Sequence, residues 1–177
     1  MDEALKLDDY SYEDYLDIDN STESRVELIW GDIYMMAGAS AVHQDIVGNI
    51  FFIFKTVTKE DKKCFPRVAP FDIKLIINNN ISVVQPDVML FCDKESLPCA
   101  VFEVLSPSTA YKDKTIKKDL YEQSGIREYF LVNSDFRTVD KFILKDDKYI
   151  YDRAYGEEDK LSIECFGLDI ELADVFE

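Results

Sequence analysis

The sequence predicts one α/β domain covering residues 1–177. Three observations carry this. Short apolar runs bounded by turn residues recur from Arg25 onward, which is the pattern of strands. Residues 40–58 repeat their apolar positions with the period of a helix. A second helical stretch, 112–124, falls between a strand that is apolar on both faces and the next strand.

Taken in order, residues 10–19 read as a short helix. Ser11 is its N-cap candidate, Glu13 and Asp14 fill the first turn, and Tyr12, Tyr15 and Leu16 share a face. Residues 25–29 and 33–36 form a hairpin, with Gly31-Asp32 as the expected turn. Glu27 alternates with Val26 and Leu28, so by residue type it is a surface strand acid. Ser40 caps the long helix, whose stripe is Val42, Ile46, Val47, Ile50, Phe51 and Phe54. His43, the single histidine, lies on that stripe. Such a residue reads first as a hydrogen-bonded core side chain and second as a ligand.

Residues 59–63 form a charged loop, and 71–77 a strand with Asp72 and Lys74 on one face. Asn78-Asn79-Asn80 is a turn signal, after which 81–84 and 88–91 resume strand character. Pro86 marks a strand start, an edge or a bulge, which puts Asp87 where the backbone is irregular. Residues 100–105 are apolar except at Glu103, as in a central strand. The 112–124 helix ends at Gly125. Ile116 and Leu120 mark its buried stripe, and Asp113, Lys117 and Tyr121 share a neighbouring face at i, i+4 and i+8. Strands are expected at 128–132, 138–144 and 149–155, and a short helix at 168–176.

Composition fits a folded domain, with 47% apolar and 13% aromatic residues. No apolar run is long enough to span a membrane, and residues 1–16 lack a signal core, so a cytoplasmic setting is expected. Cys64, Cys92, Cys99 and Cys165 form no CxxC pair or Cys/His cluster and are expected as reduced thiols. The net charge of −16 argues against a broad nucleic-acid surface. Much of the acid is terminal: residues 1–20 hold eight acids and one base, and 152–177 hold nine acids and two bases. The compact basic patch is Lys112, Lys114, Lys117 and Lys118, which by type alone is a solvated helix face.

A carboxylate inside an apolar strand is costly unless it is partnered. Asp87, Glu103 and Lys117 therefore suggest a divalent-cation site with a charged helper. Asp87 and Glu103 would supply carboxylates and Val104 its carbonyl. Lys117 would orient water or offset charge on the phosphate, and Gln85 would line the cleft. Structural ion pairs use the same residue types, and that reading stays open.

The order PD, an ExV strand, SPST, Asp-x-x-x-Lys-x-x-x-Tyr and Gly-Ile-x-Glu-Tyr resembles the Uma-type family of restriction endonuclease-like proteins in the PD-(D/E)XK nuclease superfamily. Earlier blocks match in order as well: Val26 to Met35, Gly38 to His43, and Pro70 to Leu75. The resemblance covers roughly residues 10–175. It implies a restriction endonuclease-like fold, a mixed central sheet flanked by helices with added β-hairpins. It makes Asp87 the PD acid and Glu103 the second acid. Leu105 stands where the superfamily has lysine, and the resemblance moves that lysine to Lys117 on the next helix. Glu27 and His43 fall in matching blocks and are carried as supporting catalytic groups. Lys112, Lys114, Lys118 and Tyr121 are carried as substrate contacts. The implied activity is a Mg²⁺- or Mn²⁺-dependent cut of DNA by a homodimer. The alternative is a nuclease fold kept as an inactive interaction or dimerising module.

Overall fold

The computed structural model describes residues 9–59, 64–92 and 97–177. Residues 1–8 of the acidic N-terminal segment and 60–63 of the expected charged loop lie outside the described residues. In chain order the elements are α1 (Tyr12–Ser21), β1 (Val26–Ile29), β2 (Asp32–Met35), α2 (Ala41–Val57), β3 (Cys64–Val68), β4 (Ile73–Ile77), β5 (Asn80–Val84), β6 (Val88–Cys92) and β7 (Ala100–Val104). Helix α3 follows over residues 110–123, then β8 (Glu128–Asn133), β9 (Thr138–Lys145), β10 (Lys148–Gly156), β11 (Lys160–Ile163) and β12 (Leu168–Glu171). The contacts divide this chain into two compact units.

The smaller unit holds the described residues up to Gly38 together with Asp72–Val84. Its four strands run in the order β2-β1-β5-β4, all antiparallel. Ser11 caps α1 through a reciprocal box with Asp14. Tyr15 then packs with Val26, Leu28 and Val83, and its hydroxyl donates to Asp72 at 3.1 Å. The β1–β2 turn is Trp30-Gly31, one residue earlier than expected, with φ of 55° and 88°. Two left-handed residues suit the twist of a two-residue hairpin, and Asn78 and Asn79 repeat the device between β4 and β5. Glu27 is not the surface acid expected. β1 is an interior strand with every residue buried, and Glu27 is 0% exposed.

The larger unit is built on a six-stranded mixed sheet, β10-β9-β8-β7-β6-β3. Only the β7–β8 pair is parallel within it, as a helical crossover between them requires. α2 lays Ile46, Val47, Ile50 and Phe54 onto the face carrying Val88, Leu90, Phe102 and Val104. Val42, expected in that stripe, is exposed, because only the residues from Ile46 onward turn to the sheet. Alternation along β7 sends Glu103 to the opposite face, where α3 brings Tyr121 against Tyr129. β3 and β11 carry no clear alternation in the sequence and were not expected. The segment expected as a helix at 168–176 is β12 paired to β11, followed by a single 3-10 turn, Leu172–Asp174. Its period is two, with Ile170 buried between exposed Asp169 and Glu171.

The four cysteines are not the reduced thiols expected. Cys64 is bonded to Cys92 and Cys99 to Cys165. Cys64 and Cys92 are direct cross-strand partners in β3 and β6. Glu128 fixes the other pair's outer half, accepting the backbone N–H groups of Glu164 and Cys165 at 3.0 and 2.8 Å. Buried Lys141 neutralises Glu128 at 3.3 Å.

Candidate active site

The larger unit gathers His43, Asp87, Glu103, Val104, Asp113, Lys117 and Tyr121. The β6–β7 register pairs Val88 with Phe102. Carried one residue further, it sets Asp87 beside Glu103 on adjacent strands. Asp87 sits in the bend before β6, where its carbonyl accepts the Ala69 N–H at 3.3 Å. Its Oδ2 accepts the Val104 N–H at 2.8 Å and faces His43 Nε2 at 3.1 Å. His43 reaches it from the first turn of α2, whose Ser40 cap accepts the His43 backbone N–H. The Asp87 hydrogen bond raises the imidazole pKa, and the charges of Asp87 and Asp113 add to it against the opposing effect of burial.

Glu103 is buried on the face of β7 opposite Phe102 and Val104. Its Oε1 accepts from Lys117 Nζ at 3.0 Å and from the Tyr121 hydroxyl at 2.7 Å. Lys117 is as buried as its partner, and its ammonium also lies 3.9 Å from Asp113 Oδ1. Local helix geometry makes this meeting work. Residues Asp113–Lys117 form a π-turn between the α-helical pieces Ala110–Lys112 and Lys118–Gln123. Such turns occur at functional sites. The Tyr129 hydroxyl donates to the Asp113 carbonyl at 2.9 Å, where the wider turn leaves the α ladder. Burial pushes the Asp113 carboxyl up, with the Asp87 charge adding to it, against Lys117 and Thr109. Asp113 Oδ1 and His43 Nδ1 are buried without a hydrogen-bond partner.

The remaining candidates divide clearly. Of the four-lysine patch only Lys117 turns inward, while Lys114 is exposed and Lys118 lies over the Phe142 ring at 4.9 Å. Lys112 is half-buried, and Gln85 is buried just before β6. Tyr121, expected to touch substrate, is 0% exposed and holds Glu103 instead. Val104 meets Asp87 through its N–H. Glu27 belongs to the smaller unit, on β1 opposite Tyr34. Asp113 was absent from the expected site, although its spacing to Lys117 and Tyr121 was the available signal.

The family model described as "Uma2: Putative restriction endonuclease" matches residues 12–174. The chain belongs to the Uma2 family. Two proteins of Synechocystis sp. (strain ATCC 27184 / PCC 6803 / Kazusa) are similar over most of their length. One, slr1290, is 30% identical over 89% of this chain and 86% of its own. The other, sll1609, is 26% identical over 90% of this chain and 89% of its own. A crystal structure of "a putative nuclease belonging to DUF820" from Anabaena variabilis ATCC 29413 superposes with a TM-score of 0.70 at 16% identity. It covers 88% of this chain and 91% of that one. At that identity the likeness speaks for the fold. With the Uma2 match it places the chain in the restriction endonuclease-like α/β class.

Among the described residues no group of three His, Cys, Asp or Glu side chains forms a ready cation cage. Mg²⁺ needs fewer protein ligands, since it binds through one or two carboxylates and keeps several waters. Two neighbouring carboxylates fit such an ion in donor chemistry. Among the described residues no helix is long and apolar enough to cross a membrane.

Proposed function

We propose that this Uma2 protein is a metal-dependent endonuclease that hydrolyses DNA phosphodiester bonds at the Asp87–Glu103–Lys117 site. The observation that carries the reading is the buried Lys117–Glu103 pair at 3.0 Å, beside Asp87 on the adjacent strand. The contact supports reading Lys117 as the motif lysine moved to α3 and Glu103 as the second acid. The Uma2 match runs through residues of both units, which supports one restriction endonuclease-like domain.

Asp87 and Glu103, with the Val104 carbonyl, would hold Mg²⁺ or Mn²⁺. Held there, such an ion would supply Lewis-acid polarisation of a phosphate oxygen and a more acidic bound water. The chain's own groups do the rest. Lys117 supplies positive charge where the phosphate becomes more anionic. Tyr121 and Lys117 fix Glu103 from the α3 side, and His43 and the Val104 N–H fix Asp87 from the other. His43, with its raised pKa, is a proton donor at the mouth of the site. Glu27 remains a supporting candidate through its motif block. A homodimer would double the few cations that meet DNA.

Titration calorimetry of Mg²⁺ and Mn²⁺ tests the site. The wild type should bind either ion, and Glu103→Gln should not. If neither ion binds at millimolar concentration with a short oligonucleotide present, the catalytic reading fails. The nuclease fold would then serve as an interaction module.

A further inference from the structure

We propose that Phe65, Arg67 and Phe71 form a strand contact beside the candidate site, where the guanidinium takes a phosphate and Phe71 stacks an unpaired base. The inference rests on the nuclease reading and narrows its substrate to nucleic acid with unstacked nucleotides.

Arg67 lies on β3, the edge strand next to β6. It is exposed, and its guanidinium sits 4.9 Å from the Phe65 ring and 5.7 Å from the Phe71 ring. Those rings belong to a built cluster. Phe65 stacks on Phe91 at 5.4 Å, and Phe71 meets Phe91 edge-on at 6.2 Å. In a chain with 36 acids and 20 Lys and Arg residues, an arginine would ordinarily find a carboxylate. Among the described residues none pairs with Arg67. A guanidinium held over aromatic faces keeps its N–H fork available, and that planar fork matches a phosphate.

Position gives the contact its meaning. Arg67 pairs with Met89, two residues beyond Asp87 on β6. One strand spacing across and two residues along put Arg67 roughly 8 Å from Asp87. A phosphodiester at the Asp87–Glu103 pair therefore has a neighbouring nucleotide within reach of the arginine. Phe71 is 41% exposed and leaves ring surface beside the guanidinium on which that nucleotide's base would stack. Charge favours the same substrate. A duplex held by its phosphates needs many cations, whereas a single strand gains from each stacked base.

Fluorescence anisotropy with a labelled oligo-dT strand, and with the same strand paired to oligo-dA, tests this in chelator at low salt. The wild type should bind the single strand more tightly than the duplex. Arg67→Ala should weaken single-strand binding roughly tenfold or more, and Arg67→Lys should recover only part of it. Phe71→Ala should weaken the single strand and spare the duplex. Both positions lie at the surface, and matched thermal melts check folding. Unchanged binding by Arg67→Ala and Phe71→Ala overturns the proposal, and so does a wild type that binds neither oligonucleotide. Cleavage by the wild type with Mn²⁺, followed separately, reports on the nuclease reading. Loss of that reading with the Arg67 effect intact would leave a strand-binding protein without catalysis.

Discussion

Lys117 and Glu103 are each buried with side chains 3–4% exposed, so neither can fall back on water when the other is removed. Lys117→Met should cost about 3–5 kcal/mol, since it strands a buried carboxylate. Glu103→Gln added to Lys117→Met should restore much of that loss, and Lys118→Met should change stability by less than about 0.5 kcal/mol. Urea denaturation of the variants checks the ranking. Equal costs at Lys117 and Lys118 would refute the assignment. His43 gives a second residue-scale outcome. Asp87 raises its pKa above the ordinary 6.5, so the folded chain binds that proton more tightly than the unfolded one. The stabilisation is complete below pH 6.5 and is lost as pH rises through the higher folded value. An NMR titration of this single histidine in chelator should give a midpoint above 6.5, and Asp87→Asn should lower it. The Asp113–Lys117–Tyr121 face was legible in the sequence because helix period fixes which residues meet. The burial of Glu27 was not, since alternation assigns faces without saying what covers them. Nor was the Val104 N–H bond, because backbone donors leave no trace in residue type.

At the scale of elements, the site depends on irregular pieces. The π-turn of α3 carries Lys117, which meets Glu103, and the bend before β6 carries Asp87, which meets the Val104 N–H and His43. The sequence marked the bend through Pro86 but gave no sign of the π-turn, whose residues are ordinary helix formers. β3 was hidden for a related reason: Pro66 lies within it, on an edge strand where a missing ladder donor is tolerated. The β1–β2 hairpin allows a direct test of turn chemistry. Gly31 has φ +88°, and a Cβ there would meet Asp9 Cβ at 2.8 Å. Gly31→Ala adds backbone strain to that clash and should cost about 1–2 kcal/mol. Gly48→Ala, in open space within α2, should instead stabilise by about 0.5–1 kcal/mol. Thermal melts of the two variants should therefore move in opposite directions, and a parallel shift would refute this account of the turn.

Across the whole molecule, what the sequence could reveal was local or motif-based: the α/β class, the order of the acid blocks and the terminal concentration of negative charge. What it hid was pairing between distant residues. The bonded cysteines are separated by 28 and 66 positions, and no short spacing announces either pair. This overturns the expected thiols and bears on the cytoplasmic setting, because disulfides persist mainly in oxidising compartments. The two bonds also fall at one end of the strands that carry the site. Cys92 ends β6 and Cys99 precedes β7, while Asp87 and Glu103 lie toward the opposite ends. One bond ties β6 to the edge strand β3, and the other ties the start of β7 to the 3-10 turn Glu164–Phe166, so each acid-bearing strand is anchored to a different neighbour. By loop-closure entropy the longer link should contribute about 4 kcal/mol and the shorter one somewhat less. Reductant should therefore lower the melting temperature, and Cys165→Ser should reproduce the larger share of the drop. Alkylation of the native protein without reductant, read by mass spectrometry, should label no cysteine. If all four are labelled and reductant leaves melting unchanged, the thiols are reduced and the cytoplasmic expectation gains its support from that result.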